Sequence, residues 1–162
     1  MSAYEIRRAK SADLNEILKI YEIARCFMVD NGNSTQWKDG YPDSEMLQQD
    51  ITTNRLYVVF DDFGIHGVFF FAVMEDPTYD VIEGGSWRQD TPYGVIHRIA
   101  SDGSGGIFKA SLDFCKTKIS HIRIDTHRDN IPMQHLLEKN GFRPRGIIYV
   151  ADGTPRIAYD KI

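Results

Sequence analysis

A glycine-rich segment in the second half of the chain is the clearest candidate for chemistry. It reads HRIASDGSGGIFKASLDFC, from His97 to Cys115, and its pattern predicts the end of a strand, a turn and the first half of a helix. A helix start offers unpaired backbone N–H groups and the positive end of the helix dipole, and glycines let a ligand approach the backbone closely. The turn therefore favours a phosphate-bearing ligand, although a plain connector between strand and helix would have the same composition.

Two common phosphate-binding motifs do not account for this turn. A P-loop requires GxxxxGK[ST], but Lys109 is preceded by Phe108 instead of glycine. The dinucleotide-binding fingerprint is closer, because Gly103 and Gly105 supply its first GxG and Asp125 follows at about the spacing of a ribose-binding acid. Phe108 nevertheless occupies the third glycine position, and too few elements follow to build a doubly wound domain.

Two side chains could transfer protons. His97 precedes the turn, and imidazole exchanges protons near neutral pH. Its neighbours in the strand alternation, Val95 and Ile99, are apolar, which also fits a buried structural histidine. Tyr149, near the end of a later strand, could act as an acid or be an ordinary strand aromatic. His97 and Tyr149 are therefore the catalytic candidates, each with a structural alternative.

The composition limits the classes of partner and compartment. The chain has 162 residues, 42% hydrophobic and 26% charged, which fits one globular domain, and its formal net charge of -4 argues against nucleic acid or anionic membrane as a partner. The longest apolar run, GVFFFAVM, is too short to cross a bilayer, and the N-terminus lacks the apolar core of a signal peptide. Cys26 and Cys115 lack metal-ligand spacing, which predicts buried thiols, no metal site and a cytoplasmic location.

The hydrophobic patterning predicts elements in the order β-α-α-β-β-β-α-β-α-β-β. In the first half, Ser11 is the predicted N-cap of a helix, and a second helix is predicted from Asp43 or Ser44 through Asp50. A loop rich in helix breakers, NGNSTQWKDGYP, separates them. The strands predicted in this half are AYEIRRA, RLYVVF and IHGVFFFAVM, the last two joined by the turn DDFG.

The second half begins with a long acidic connection from Glu75 to Pro92, a length that is more often functional or mobile than inert. Strand YGVIHRIA then leads through the glycine turn into a helix to about Ile119, followed by strand HIRIDTH. A helix through PMQHLLEKN stops at Gly141, and the hairpin FRPRGIIYV, ADGT, PRIAYDKI ends the sequence. The strands flanking the turn must be parallel, so we expect an α+β fold with a mixed α/β sheet in a single domain over residues 1–162.

The order of elements, the strand, turn and helix in mid-chain and the ending DNIPMQHLLEKNGFRPRGIIYV together resemble the GNAT superfamily of N-acetyltransferases. The segment IRRAKSADLNEILKIYEIA is similar to the family's opening strand and helix, and NGF after an amphipathic helix is similar to its closing signature. The resemblance covers essentially the whole chain and implies a single GNAT-like domain.

The resemblance implies acetyl-CoA as co-substrate, with its pyrophosphate on the backbone amides of the turn and its pantetheine arm paired with the preceding strand. The residues implied for the pantetheine arm are Arg98, Ile99, Ala100 and Ser101. Those implied for the pyrophosphate are Gly103, Ser104, Gly105, Gly106, Ile107 and Phe108. Lys109 is a further candidate for pairing with a phosphate, or else a solvated helix lysine.

Three positions can be compared with the family pattern. The turn departs from Gln/Arg-x-x-Gly-x-Gly/Ala, because with Gly106 as the central glycine Gly103 and Phe108 occupy the outer positions. Asn130 matches a family asparagine that contacts the cofactor, and it could equally be the N-cap of its helix. Leu137 stands where the family often has a tyrosine that protonates the departing thiolate.

The implied reaction transfers the acetyl group of acetyl-CoA to a primary amine of a small molecule or peptide, by direct attack of the amine on the thioester. An amine of ordinary pKa is protonated at neutral pH, so a base or a water relay must take up a proton. The candidate substrate contacts are Trp37, Tyr41 and Glu83. Trp37 and Tyr41 in the breaker-rich loop could wall a pocket or pin the loop to the core. Glu83 belongs to the acidic connection, which could form a rim that favours a cationic amine or be an ordinary solvated face. The alternative is a non-catalytic acyl-CoA-binding or interaction module with the same fold.

Two further expectations concern pairing and assembly. Arg98 and Asp125 lie on neighbouring parallel strands, which predicts a structural cross-strand ion pair. We expect neither nucleic acid nor membrane as a partner, and the sequence leaves a homodimer open.

Overall fold

The computed structural model describes residues 4–38 and 40–162, so Ala3 of the first predicted strand and Asp39 of the breaker-rich loop lie outside the described residues. The predicted order of elements is confirmed. Two short 3₁₀ turns, Ser11–Asp13 and Pro77–Tyr79, supplement it. The helices and strands are β1 Glu5–Arg8, α1 Leu14–Asp30, α2 Ser44–Thr52, β2 Leu56–Asp61, β3 Gly64–Val73, β4 Gly94–Ser101, α3 Ile107–Lys116, β5 Ile122–Thr126, α4 Ile131–Lys139, β6 Arg143–Tyr149 and β7 Pro155–Lys161.

All seven strands form one sheet in the order β1-β2-β3-β4-β5-β7-β6. Strands β4 and β5 run parallel. Among the described residues, every other pair of neighbouring strands runs antiparallel. Helix α3 makes the crossover that the parallel pair requires. The sheet is therefore mixed, as the sequence predicted.

Two hydrophobic clusters cover the two faces of the sheet. One joins α1 and α2 to buried strand residues such as Val95 and Ala158. The other joins α3 and α4 to residues of opposite alternation, such as Ile96 and Ile124. Because successive side chains of a strand point to opposite faces, this partition shows which helix layer each strand side chain faces.

The sheet opens in its middle. Pairing between β4 and β5 is limited to Gly94 with Ile122 and Val95 with Arg123. Two residues beyond Val95, after His97, the ladder between β4 and β3 is also interrupted, between Val68 and Phe70 of β3. This β-bulge contains Arg98, whose φ of 51° lies in the left-handed region. The bulge and the short parallel ladder leave a groove between the C-terminal ends of β4 and β5.

Three local predictions are corrected. Ser11 opens a 3₁₀ turn instead of capping α1, because the Asp13 carboxylate accepts the Lys10 N–H (2.8 Å) and closes a turn before the helix. Helix α3 ends at Lys116, short of Ile119. Of the two thiols predicted to be buried, Cys115 is buried but Cys26 is exposed.

The long acidic connection is fixed at several points. Arg88 Nε donates to the Oδ1 atom of the fully buried Asp160 (2.6 Å). The Arg123 guanidinium carbon lies 4.2 Å from the Trp87 ring centroid and 3.9 Å from that of Tyr93. Glu83 exchanges two backbone hydrogen bonds with Ile147 of β6. The connection is thus packed against β5, β6 and β7.

None of the helices among the described residues is long and apolar enough to pass through a bilayer.

Candidate active site

The groove between β4 and β5 widens into a cavity of about 490 Å³. Its walls are residues 96–99 of β4 and 124–126 of β5, with residues 35–38 after α1, Asn130 and Met133 at the start of α4, and the β6–β7 hairpin. Because side chains alternate along a strand, some of the β4 and β5 residues in these walls face the α1 layer and the others face the α4 layer. Asp125 pairs with Ala158 and so faces the α1 layer, whereas Ile124 faces the α4 layer.

His97 lies in the wall of this cavity and forms a pair with Asp76. Its Nε2 atom is 2.6 Å from Asp76 Oδ2. The Asp76 carboxylate also accepts the Thr78 N–H through Oδ1 (3.0 Å). Burial raises the pKa of Asp76, but the hydrogen bond and charge of His97 and the Thr78 bonds outweigh it and leave the pKa below its ordinary value. Asp76 is therefore an ionised acceptor that orients the imidazole ring.

His97 is partly exposed to the cavity, and its role as a base remains a prediction. Its side chain is 24% exposed, whereas Asp76 behind it is almost fully buried. Asp76 belongs to the acidic connection, where the sequence shows no periodicity that would indicate its partner.

Tyr79 joins the two sides of the groove. Its hydroxyl donates to Asp125 Oδ2 (2.7 Å), and its ring centroid is 6.1 Å from that of His97. Burial raises the pKa of Tyr79 well above its ordinary value, with the Asp125 charge adding to the effect. Tyr79 therefore remains a neutral donor.

The predicted ion pair between Arg98 and Asp125 is wrong. The bulge turns Arg98 toward α2, where its Nη2 atom lies 2.5 Å from Asp50 Oδ2. The Arg98 guanidinium carbon is also 4.9 Å from the Phe70 ring centroid, and the Arg98 carbonyl accepts the Tyr21 hydroxyl (2.7 Å). These contacts hold the bulge in place.

Asn130 caps α4, as one of its two predicted roles required. Its Oδ1 accepts the Met133 N–H (3.2 Å), and its Nδ2 donates to Gln36 Oε1 (3.0 Å). The Asn130 side chain thus holds the loop after α1 in place. Its contact with a cofactor remains a prediction.

The candidate substrate contacts divide into two groups. Trp37 and Tyr41 line the cavity, and Trp37 packs edge-on against Tyr21 with ring centroids 5.5 Å apart. Glu83 and Tyr149 lie outside the cavity and bond to each other, with the Tyr149 hydroxyl donating to Glu83 Oε2 (2.9 Å). Tyr149 is 45% exposed, so neither residue is in place to contact a ligand in this cavity, and the catalytic role of Tyr149 and the substrate role of Glu83 remain predictions.

The glycine turn uses two of its predicted phosphate donors internally. The Gly103 N–H donates to Ser101 Oγ (3.2 Å), and the Ser104 N–H donates to Asp102 Oδ1 (2.9 Å). Gly103 and Gly106 have φ values of +95° and +82°, which explains why glycine is required there. Only the N–H groups of residues 105–108 remain as candidate phosphate donors from the predicted set.

Lys109 is a solvent-exposed lysine on helix α3, which is the alternative to its predicted pairing with a phosphate. Its Nζ atom pairs with Asp113 Oδ2 at 2.9 Å, and its side chain is 70% exposed. A pair of residues four apart on an exposed helix face is a common surface interaction of small stability.

His66 bridges two carboxylates beside the turn. Its Nδ1 atom lies 2.8 Å from Asp102 Oδ2, and its Nε2 atom lies 2.7 Å from Asp61 Oδ1. The hydrogen bonds to Asp102 and Asp61 raise the pKa of His66 above its ordinary value. The sequence analysis did not identify this cluster, because its members come from β2, β3 and the turn.

Replacing His66 with glutamine should remove a pH-dependent part of the stability. A histidine whose folded pKa is raised stabilises the fold fully below its unfolded pKa of about 6.5, and this stability is lost as the pH rises through the folded pKa. Melting temperatures at pH 5.5 and pH 8.5 should therefore differ less for H66Q than for the parent protein. The exposed variant H135Q serves as control, and an identical pH response in H66Q and the parent would contradict the prediction.

Comparison with solved structures places this architecture in a known group. An acetyltransferase of the GNAT family from Streptococcus agalactiae has 30% sequence identity and a TM-score of 0.87, with 98% of this chain and 95% of that chain covered. An acetyltransferase from Staphylococcus aureus Mu50 has 27% identity and a TM-score of 0.67, with 96% and 97% covered. The PaiA N-acetyltransferase of Thermoplasma acidophilum, solved with coenzyme A, has 16% identity, a TM-score of 0.66 and full coverage of both chains.

These comparisons confirm the predicted fold class, a mixed sheet that opens between two parallel strands. The chain belongs to the GNAT family of acetyltransferases. It is an acyltransferase, and its general reaction is acetyl transfer. No family profile and no curated protein matches the chain.

Proposed function

We propose that the protein transfers the acetyl group of acetyl-CoA to a primary amine of a small molecule. The observation that carries this proposal is the hydrogen bond of 2.6 Å between His97 and Asp76 in the wall of the cavity. An amine must lose a proton to become a nucleophile, and a histidine oriented by a buried carboxylate is suited to accept it.

The tautomer of His97 follows from its partner. An ionised carboxylate can only accept hydrogen bonds, so the Nε2 atom of His97 carries the proton that Asp76 accepts. In the neutral ring, Nδ1 is then the atom with a free lone pair. Nδ1 of His97 is therefore the proposed proton acceptor, and Asp76 stabilises the imidazolium that forms.

The α4 side of the cavity fits the co-substrate. Ile96, Ile124 and Met133 give it an apolar wall. The buried Thr126 hydroxyl on β5 has no hydrogen-bond partner among residues 4–38 and 40–162. The β4 backbone beyond Val95 has no ladder to β5, so its polar groups face the groove. These features suit an extended chain with amide groups, such as a pantetheine arm.

Acetyl-CoA, when bound, would supply an activated acyl carbonyl as a thioester. Residues 98–101 of β4 would hold its arm, and the N–H groups of residues 105–108 would hold its pyrophosphate. Leu137, at the position of the family's usual proton donor, is fully buried in the core. Helix α4 therefore supplies no acid at that position.

Two measurements test the proposal. Calorimetric titration should show saturable binding of acetyl-CoA, and weaker binding of an analogue that lacks the 3′-phosphate and pyrophosphate. Thiol release should then be followed over a broad panel of amines. Absence of acetyl-CoA binding would refute the co-substrate, and binding without turnover of any amine would support the non-catalytic module instead.

A further inference from the structure

The cavity contains a guanidinium that makes no direct ion pair among the described residues, although the charge of Asp152, which also lines the cavity, acts on it. Arg156 lines the cavity and is 8% exposed. It donates to two neutral oxygens, Thr154 Oγ1 and the Pro155 carbonyl, both at 3.0 Å. Within the described part of the chain, no carboxylate oxygen lies within 4.0 Å of it. The hydrogen bonds of Arg156 to Thr154 and Pro155 use only Nη1, so the other nitrogens of its guanidinium are free to bind an anion in the cavity.

The cavity also contains a carboxylate without an ionic partner. Asp125 is half-buried in the wall formed by β5, and the hydrogen bond that it accepts comes from the neutral Tyr79 hydroxyl. No lysine, arginine or histidine nitrogen of residues 4–38 and 40–162 lies within 4.0 Å of Asp125. By contrast, Arg98, which also lines the cavity, has the carboxylate of Asp50 as a partner of opposite charge.

The register fixes how these two charges are spaced. Asp125 is opposite Ala158 in the β5–β7 ladder, and Arg156 is two residues before Ala158 on the same face. Such diagonal neighbours have side-chain origins about 7–8 Å apart. This separation suits a ligand whose positive and negative groups are joined by one or two carbon atoms, because both side chains can reach toward it.

The same register relates Asp125 to His97. Val95 pairs with Arg123, so two residues further His97 and Asp125 are level with each other across the groove. Tyr79 contacts both of them. A cation held at Asp125 therefore lies beside the proposed base, and an anion held at Arg156 lies further from it.

We infer that the acceptor is a free amino acid or a close amino carboxylate, not the N-terminus of a peptide. Its ammonium group would bind Asp125, and its carboxylate would bind the Arg156 guanidinium, whose planar fork matches a carboxylate. A peptide N-terminus has no carboxylate at this distance unless its first side chain supplies one. The inference rests on the proposed amine acetylation.

The transfer step balances with the groups named. The ammonium gives up two protons as its nitrogen bonds to the acetyl carbon and the carbon–sulfur bond breaks. His97 accepts one of these protons and passes it to solvent, and the leaving sulfur becomes a thiol with the other. The product is an N-acetyl amino acid, which no longer carries the positive charge that Asp125 binds.

The test compares each of the twenty amino acids with its own α-carboxamide, which keeps the amine and loses the negative charge. With the parent protein, kcat/KM should be at least tenfold higher for the preferred amino acid than for its amide. R156M should reduce this ratio to about one, mainly by raising KM for the acid, and R156K should recover part of it. R128Q, an exposed arginine beyond the end of β5, should keep the full ratio.

The outcomes separate the inference from the proposed function. Equal turnover of acids and amides by the parent protein would overturn the inference and leave amine acetylation standing. Turnover of neither, with acetyl-CoA bound, would overturn the proposed function itself. The comparison of acid with amide in the parent protein decides the question even if R156M does not fold.

Discussion

Replacing His97 with glutamine is expected to lower kcat for acetyl transfer by about two orders of magnitude while leaving the affinity for acetyl-CoA near that of the parent protein. Glutamine keeps a polar side chain of similar size but has no basic nitrogen, so the amine loses its proton acceptor. Single-turnover thiol release measures the chemical step, and calorimetric titration measures the affinity.

The pH profile adds a readout that a structural role would not change. In the parent protein, kcat/KM should fall on the acidic side, because protonated imidazole cannot accept a proton; in H97Q that decline should be flattened. D76N should also lower kcat, because the neutral amide lacks the negative charge that stabilises the imidazolium of His97. The exposed H135Q is the control. If H97Q is stable and its kcat is unchanged, His97 is not the base, and bulk water accepts the proton of the amine.

Replacing Asp50 with asparagine should lower the free energy of unfolding by about 3 kcal/mol, because it leaves the buried Arg98 guanidinium without its counter-charge. The two side chains are 11% and 13% exposed, so water cannot substitute for the lost carboxylate. Urea denaturation of D50N and the parent protein at neutral pH measures the difference.

An exposed ion pair provides the matched control. Glu22 and Arg25 form a surface pair on α1 at 2.7 Å, with Glu22 65% exposed, and E22Q should cost less than 1 kcal/mol, about the value for exposed pairs. If D50N and E22Q lost stability equally, Arg98 would not depend on Asp50.

The fold could be predicted because its elements carry strong local signals. Alternating apolar residues define the strands, and caps such as Asp43, whose carboxylate accepts the Met46 N–H (2.8 Å), define the helices. In the site, Trp37 and Tyr41 were found from their place in a loop, and His97 from its place before the glycine turn. All three line the cavity.

The remaining site residues carried no such signal. Asp76 lies in an irregular connection, where only the folded path shows that it meets His97. The neighbouring strands predict a pair between Arg98 and Asp125, but a β-bulge, which a single sequence does not reveal, turns Arg98 to Asp50. Arg156 is a charged residue near the start of an ordinary strand, and its burial arises from the hairpin and loop that fold over it.

The connection that carries Asp76 has a mechanical consequence for the groove. It leaves β3 on one side of the opening and is fastened to β5, β6 and β7 on the other, through Arg123, the Glu83 backbone and Asp160. Where the ladder between β4 and β5 is missing, the same connection bridges the two strands, because Asp76 bonds to His97 and Tyr79 bonds to Asp125. A change in the path of this connection is therefore expected to alter both the width of the groove and the orientation of the His97 ring.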